Sequence, residues 1–241
     1  MFAGPNGSGK STLKSVLRAE LLGHYVNPDE IEKELLSRGF LDVGGYGVTT
    51  TADVVRAFFR NSSFLKVVGL AGAVEQLRFA NGRLVFADMK VNAYLASVVA
   101  DFLRQKLLDQ KASFTFETVM SSPDKIELLK QAQGLGYRTY LYYIATEDPA
   151  INISRVHNRV ALGGHPVPED KIASRYQRSL DLLMEAIRHT DRAYVFDNSA
   201  HHQERTWLAE ITDGRVLEMK TDRMPAWFKR AVWDKITPSA R

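Results

Sequence analysis

The chain has 241 residues, of which 45% are hydrophobic, and its formal net charge is +4. This length and composition are enough for a buried core, and the charge is too small to indicate nucleic-acid binding. There is no cysteine, which excludes disulfides, a thiol nucleophile and a cysteine zinc site. With no signal peptide and no apolar run of about 18 residues, we expect a cytoplasmic protein that binds neither membrane nor nucleic acid.

A phosphate-binding loop begins three residues after the first methionine. Residues 4–11 fit the pattern GxxxxGK[ST] without a mismatch. The glycines let backbone N–H groups approach phosphate oxygens, Lys10 adds a positive charge for the β- and γ-phosphates, and Ser11 is expected to bind Mg²⁺. The predicted nucleotide-binding residues are Gly4, Pro5, Asn6, Gly7, Ser8, Gly9, Lys10, Ser11 and Thr12.

The residues on both sides of this loop predict a strand before it and a helix after it. Apolar residues recur at helical spacing over 10–22, and Gly23 is suited to end that helix. A strand before such a loop usually has about five residues, but only Met1, Phe2 and Ala3 precede Gly4. We interpret Phe2 and Ala3 as the end of a longer strand, and we expect that the start codon was assigned too late.

Strands and helices alternate along much of the remaining chain. This alternation predicts an α/β protein with a P-loop NTPase fold, in which helices cover both faces of a mostly parallel sheet. Asn27 and Pro28 mark one switch from strand to helix, because they are typical first residues of a helix. The predicted strands are 24–26, 113–117, 137–145 and 193–196, and the predicted helices are 29–37, 93–108, 122–136, 149–160 and 168–189.

We predict a single P-loop kinase-like domain over 1–241, with three additions to the alternating core. Residues 40–90 form an insertion with a helix over 51–59 and a hairpin over 77–86 that turns at Asn81-Gly82. This insertion shapes an acceptor pocket, forms a dimer contact or is decoration. Residues 149–190 form a lid and helices. Residues 205–241 form a hairpin and a terminal helix, which we expect to dock through its aromatic residues instead of lying on a membrane.

The pattern favours a small-molecule kinase among P-loop proteins. Motor proteins and transporters also need an apolar strand that ends in an acid, and Asp88 after residues 84–87 fits this only in part. The sequence has neither an ABC-type signature nor a GTPase base-recognition motif. We keep a nucleotide-gated binding or assembly module as an alternative, in which Asp88 is the essential acid.

Three carboxylates follow predicted strands, where a phosphoryl-transfer site needs them. Asp29 is a candidate for accepting the proton of an acceptor hydroxyl, or else an acid favoured by the helix dipole. Glu117 ends an apolar strand, and a buried carboxylate needs a cation or a polar substrate beside it. Asp197 either joins the site or caps the next element.

Basic residues in the last third of the chain suit a lid over the triphosphate. Arg155 and Arg159 are four residues apart and therefore share one face of a helix. Gly163 and Gly164 follow as a hinge, so these arginines are expected to neutralise charge on the transferred phosphate, although solvent-exposed helix faces carry similar residues. The same two interpretations stay open for Arg175 and Arg178, and His165 is interpreted as lid structure or a substrate contact.

Several blocks together resemble the zeta toxin family of P-loop kinases, in particular its bacterial branch. They are FAGPNGSGKST at 2–12, NPDEI at 27–31, FTFET at 114–118 and GGHPVP at 163–168, followed by Arg175-Tyr176 and Arg178-Ser179-Leu180. The resemblance covers residues 1–39 and about 92–200.

The resemblance implies an enzyme that transfers a γ-phosphate from ATP or GTP, with Mg²⁺, to the 3′-hydroxyl of the amino sugar in UDP-N-acetylglucosamine. It implies that Asp29 is the general base, that Lys10 and Ser11 hold phosphate and metal, and that Glu117 lies in the substrate or metal shell. It further implies that lid arginines stabilise the transferring phosphate. Any antitoxin is expected to be a separate protein. Another acceptor, such as a nucleoside, a metabolite or a nucleic-acid end, stays open as an alternative.

Overall fold

The computed structural model describes residues 1–86, 90–164, 166–200 and 204–236. The chain divides into two compact units. The first unit comprises Met1–Leu17 and Glu117–Arg241, and the second comprises Arg18–Phe116. The predicted single domain with its insertion stays a prediction, and Asp88 and His165 lie outside the described residues.

The first unit contains a mixed sheet. Its strands are β1 (Phe2–Ala3), the last two residues of β6 (Phe114–Thr118), β7 (Tyr140–Ala145), β8 (Arg192–Asp197), β9 (Thr206–Thr212) and β10 (Val216–Met219), in the order β10-β9-β8-β7-β1-β6. β1 pairs in parallel with both β6 and β7, and β7 pairs in parallel with β8, whereas β9 and β10 are antiparallel additions. β1 is therefore an inner strand, and the loop that follows it starts between two parallel neighbours.

Helices flank this sheet, as the alternating sequence predicts. They are α5 (Asp124–Gly134), α6 (Pro149–Ala161), α7 (Glu169–Arg188) and a C-terminal helix that comprises α8 (Ala226–Phe228), a π-helical turn (Lys229–Trp233) and α9 (Asp234–Ile236). Trp227 and Phe228 are fully buried, and the Trp227 ring lies 6.2 Å from that of Tyr143 on β7. The α/β fold with a mostly parallel sheet is thus confirmed, as is the docking of the C-terminal helix by its aromatic residues.

The second unit begins with β2 (His24–Val26) and α1 (Pro28–Arg38) and also contains α4 (Ala93–Asp109). β2 pairs in parallel with residues 114–116, the part of β6 that belongs to this unit. The Asn27 side chain caps α1 by accepting a hydrogen bond from the Asp29 backbone N–H at 2.9 Å, and Gly39 ends the helix in a left-handed conformation. This capping matches the prediction from the sequence.

The predicted insertion lies within the second unit. It contains β3 (Leu41–Asp42), α2 (Ala52–Asn61), α3 (Ser63–Val67), β4 (Leu77–Ala80) and β5 (Arg83–Phe86), and its three strands form a small antiparallel sheet in the order β3-β5-β4. The hairpin turns at Asn81 and Gly82, both with positive φ, as predicted. Phe58 and Phe59 pack against Phe102 of α4, with ring centroids 5.2 Å and 6.3 Å apart.

The segment after the phosphate-binding loop differs from the predicted helix over 10–22. Two 3-10 turns, Lys10–Val16 and Ala19–Leu21, are separated by extended backbone at Leu17 and Arg18. Helices in proteins are stabilised mainly by packing of an apolar face. Here Leu13 is fully buried, but Leu21 is 61% exposed, so the apolar spacing is not matched by a continuous packed face.

Candidate active site

The loop at residues 4–12 curves tightly after β1. Gly4, Gly7 and Gly9 all have positive φ, so the backbone takes conformations that side chains disfavour. The Lys10 side chain extends toward the start of the loop, where its Nζ donates hydrogen bonds to the carbonyl oxygens of Gly4 at 2.8 Å and Pro5 at 2.9 Å. The Lys10 ammonium group therefore lies against the loop, and its predicted role in phosphate binding stays a prediction.

Two buried polar atoms of this loop have no hydrogen-bond partner among the described residues. They are the Ser8 hydroxyl oxygen and the Asn6 side-chain carbonyl oxygen, and Ser8 as a residue is fully buried. A buried polar group without a partner costs about 1–3 kcal/mol, so native proteins rarely keep one without a reason. The Ser8 hydroxyl is a donor that a phosphate oxygen can use, and this fits the loop to a nucleoside triphosphate.

Ser11 and Glu117 meet beside the loop. The Ser11 hydroxyl donates to Glu117 Oε2 at 3.3 Å, and Glu117 is only 7% exposed. The strand register pairs Glu117 with Phe2, which brings this carboxylate next to the strand that precedes the loop. Magnesium in nucleotide sites takes one or two protein oxygen ligands together with phosphate oxygens and water. The Ser11–Glu117 pair therefore has the chemistry to hold Mg²⁺ or a water bound to it.

Arg155 and Arg159 differ in their surroundings although both lie on α6. Arg155 is half-buried, and its guanidinium donates to the backbone carbonyls of Asn198 at 2.7 Å and Ala200 at 3.2 Å. Burial lowers the pKa of Arg155, and the nearby Asp197 carboxylate raises it. Arg159 is exposed at the C-terminal end of α6, where its backbone carbonyl accepts a hydrogen bond from the Gly164 N–H at 2.9 Å. The predicted role of both arginines in phosphate transfer stays a prediction.

The second pair of basic residues lies on α7. The Arg178 Nε donates to the Ser121 backbone carbonyl at 3.2 Å, and Arg178 is exposed, while Arg175 is half-buried. Between them, the Tyr176 hydroxyl donates to the Thr146 carbonyl at 2.6 Å. The Arg178 contact is made to backbone, which favours a structural role over a phosphate contact.

Asp29 lies in the second unit, at the second residue of α1. It is exposed, and its backbone N–H is taken by the Asn27 cap. Its carboxylate is thus not required for the cap, and a carboxylate in the first helical turn is also favoured by the helix dipole. The prediction that Asp29 acts as a general base stays open to experiment.

Asp197 caps a turn and anchors the C-terminal helix. Its carboxylate accepts hydrogen bonds from the Ser199 hydroxyl at 2.7 Å and from the Trp227 indole N–H at 2.9 Å, and it is 3% exposed. Of the two interpretations that the sequence left open, these contacts favour the cap. The turn that Asp197 stabilises leads directly into Asn198 and Ala200, which Arg155 contacts.

The contact between Asp197 and Trp227 is expected to contribute measurably to stability. Trp227→Phe removes the buried indole N–H and leaves the carboxylate with one donor fewer, which should lower the free energy of unfolding by about 1–3 kcal/mol. Trp207→Phe is the matched control, because its indole N–H also donates a hydrogen bond, here to the backbone carbonyl of Ala209, but Trp207 is 39% exposed. Urea unfolding of both variants measures the difference. Equal losses would show that the Asp197 contact adds nothing.

Two residues at this loop were missed by the sequence analysis. Asn152 on α6 and Asn198 after β8 each donate a side-chain hydrogen bond to a backbone carbonyl of the loop. Asparagine has no distinctive spacing in such a site, and these contacts span 146 and 190 residues of sequence. Only the parallel sheet topology, which gathers the carboxyl ends of β1, β7 and β8, brings them together.

The fold and the glycine-rich loop after β1 define the first unit as an α/β unit with a P-loop. Residues 90–206 match the family model described as Zeta toxin. This match covers just under half of the chain, and it includes the blocks at 114–118 and 163–168 that resemble the zeta toxin family.

Further similarities concern individual proteins. An uncharacterized protein of Haemophilus influenzae (strain ATCC 51907 / DSM 11121 / KW20 / Rd) is 33% identical over 69 residues, which are 29% of this chain and 49% of that protein. Among solved structures, AvrRxo1-ORF1:AvrRxo1-ORF2 with sulphate ions is 16% identical, with a TM-score of 0.49 over 91% of this chain and 60% of that chain. The AvrRxo1-ORF1:-ORF2 structure with ATP gives 16% and a TM-score of 0.48, over 98% of this chain and 62% of that chain. The chain thus spans about half the length of the curated relative that it matches.

None of the helices that the structure describes has both the length and the apolar composition needed to cross a membrane.

Proposed function

We propose that the protein is an ATP-dependent kinase that transfers a γ-phosphate to a hydroxyl of a small molecule. The observation that carries this proposal is the loop at residues 4–12, where the Lys10 ammonium and the buried Ser8 hydroxyl lie together beside the Ser11–Glu117 pair. Such a loop holds the phosphates of ATP or GTP.

Different residues of the first unit have different roles in phosphate binding. Backbone N–H groups and the Ser8 hydroxyl donate to phosphate oxygens, and Lys10 moves from its own carbonyl contacts to the β- and γ-phosphates. Ser11 and Glu117 would hold Mg²⁺, which would neutralise negative charge on the phosphates. Arg159, exposed beside the glycine hinge, is suited to neutralise charge on the transferred group.

The acceptor follows from the family resemblance. We propose that it is the 3′-hydroxyl of the amino sugar in UDP-N-acetylglucosamine, that Asp29 takes its proton, and that an antitoxin acts from a separate chain. A nucleoside, a metabolite or a nucleic-acid end as acceptor is the alternative that the assay below separates. A purely nucleotide-gated module is a further alternative, and its critical Asp88 lies outside the described residues.

A transfer assay tests the proposal directly. Purified protein with γ-labelled ATP and Mg²⁺ should move the label to UDP-N-acetylglucosamine, and a panel of other hydroxyl compounds should stay unlabelled. Lys10→Ala should lose both ATP binding and transfer, because the variant lacks the ammonium group that the loop presents to the phosphates. Label in another compound of the panel would change the acceptor, and label only in free phosphate would overturn the kinase assignment.

A further inference from the structure

Two asparagine side chains from other parts of the first unit donate hydrogen bonds to the phosphate-binding loop. The Asn152 Nδ2 donates to the Asn6 carbonyl oxygen at 2.6 Å, and the Asn198 Nδ2 donates to the Ser8 carbonyl oxygen at 2.8 Å. Asn152 is fully buried and Asn198 is half-buried. The two donors therefore fix two alternate peptide units of the loop.

Each asparagine is itself held in place. The Asn152 side-chain oxygen accepts a hydrogen bond from the hydroxyl of Thr146, which is also fully buried. The Asn198 backbone N–H donates to the Ala145 carbonyl at 2.8 Å, and its own carbonyl accepts from Arg155 at 2.7 Å. The Thr146 contact restricts the rotamer of the Asn152 amide, and the other two contacts fix the backbone from which the Asn198 side chain extends.

The direction of the two carbonyl groups determines the direction of two N–H groups. In a planar trans peptide the C=O and the N–H point to opposite sides, and the peptide bonds of this loop are trans. With the Asn6 and Ser8 carbonyls bound to asparagine amides, the N–H groups of Gly7 and Gly9 point away from those amides. Rotation of either peptide unit would break its hydrogen bond to the asparagine.

We propose that Asn152 and Asn198 are positioning residues, which keep the Gly7 and Gly9 N–H groups turned toward the phosphates before the nucleotide binds. Binding then needs less ordering of the loop, and this increases affinity. The proposal rests on the proposed function for the identity of the anion as a triphosphate. Arg155 then acts indirectly, by holding Asn198 in place, because its guanidinium donates hydrogen bonds to the Asn198 and Ala200 carbonyls.

The close fit around Gly9 supports the same assignment. A Cβ on Gly9 would lie 2.6 Å from the Asn198 Nδ2, which is closer than a side chain can approach unless the amide shifts. Gly9 also has a φ of +100°, and its carbonyl accepts the Thr12 hydroxyl at 2.7 Å. The loop and the amide of Asn198 are thus packed directly against each other.

Titration calorimetry with two probes, ATP with Mg²⁺ and inorganic tripolyphosphate, tests the proposal. Asn152→Ala and Asn198→Ala should each raise the dissociation constant about fivefold to tenfold for both probes, the range expected for one hydrogen bond. Asn158→Ala, an exposed asparagine on the same helix as Asn152, is the matched control and should leave both constants unchanged. A purely structural role would lower stability without changing the affinity of the folded protein. Unchanged affinities in Asn198→Ala, the less buried site, would overturn the proposal even if Asn152→Ala did not fold.

A double-mutant cycle separates the role of Arg155 from a direct phosphate contact. If Arg155 acts through Asn198, Arg155→Ala should weaken ATP binding in the wild-type background but change it less than about twofold in Asn198→Ala. Additive losses would overturn the indirect role. A wild-type protein that binds tripolyphosphate but transfers no phosphate would contradict the proposed function alone, whereas one that binds neither probe would contradict both proposals.

Discussion

Gly4→Ala should prevent the first unit from folding stably. Gly4 has a φ of +146°, and a Cβ there would overlap the backbone carbonyl oxygen of Ile144. Neither partner can move easily, because Ile144 is fully buried on β7, which is paired with strands on both sides. Backbone strain and the overlap together should cost roughly 3–6 kcal/mol, a large part of the stability of an ordinary domain.

Gly136→Ala provides the matched control for this experiment. Gly136 also has a positive φ, +83°, but apart from its own chain neighbours no described residue has an atom within 4 Å of the position that a Cβ would take there. Its replacement should therefore cost only the left-handed strain of about 1–2 kcal/mol. Urea unfolding of both variants gives the comparison, and equal losses at the two positions would contradict the importance of the Ile144 contact.

Asp29→Asn should abolish phosphate transfer while ATP binding stays within about twofold of wild type. General bases contribute about 10²- to 10⁴-fold to a rate, and an amide cannot take the proton of the acceptor hydroxyl. The variant should fold normally, because Asp29 is exposed and the helix is capped by the Asn27 side chain. The measurement is the rate of label transfer from γ-labelled ATP at saturating acceptor, together with ATP affinity by calorimetry.

Glu30→Gln is the control, because Glu30 is the next acidic residue in the first turn of the same helix and is also exposed. It removes an equal charge from the first turn but not the proposed base, so it should keep the transfer rate. A slow Glu30→Gln variant would point to the helix dipole instead of proton transfer. Loss of ATP affinity in Asp29→Asn would mean that the carboxylate is structural.

Local patterns predicted most of the elements. The Asn81-Gly82 turn, the Asn27 cap of α1 and the alternation of strands and helices all depend on neighbours within a few residues, and the structure has them where expected. The helix after the loop was the exception, because its apolar spacing does not disclose whether a packed partner exists. The short 3-10 turns there reflect tertiary packing, which no local pattern contains.

Some residues of the candidate site could be predicted from the sequence and others could not, because only some of them belong to a local pattern. Lys10 and Ser11 belong to a contiguous pattern, and Glu117 ends a recognisable strand. Asn152 and Asn198 carry no pattern, and their contacts to the loop appear only after the parallel strands are aligned. Arg155 was predicted as a lid residue, and its bonds to the 198–200 backbone suggest a different role, which the double-mutant cycle measures.

The first unit is built from two distant stretches of sequence, and this has a consequence for synthesis on the ribosome. β1 and its loop are translated more than a hundred codons before their neighbours in β6 and β7 and the asparagine after β8. Such distant partners make assembly slow compared with helix formation. The loop therefore gains all of these contacts only after Asn198 has been made, so a nascent chain that ends before this residue lacks one of the two amides that hold the loop.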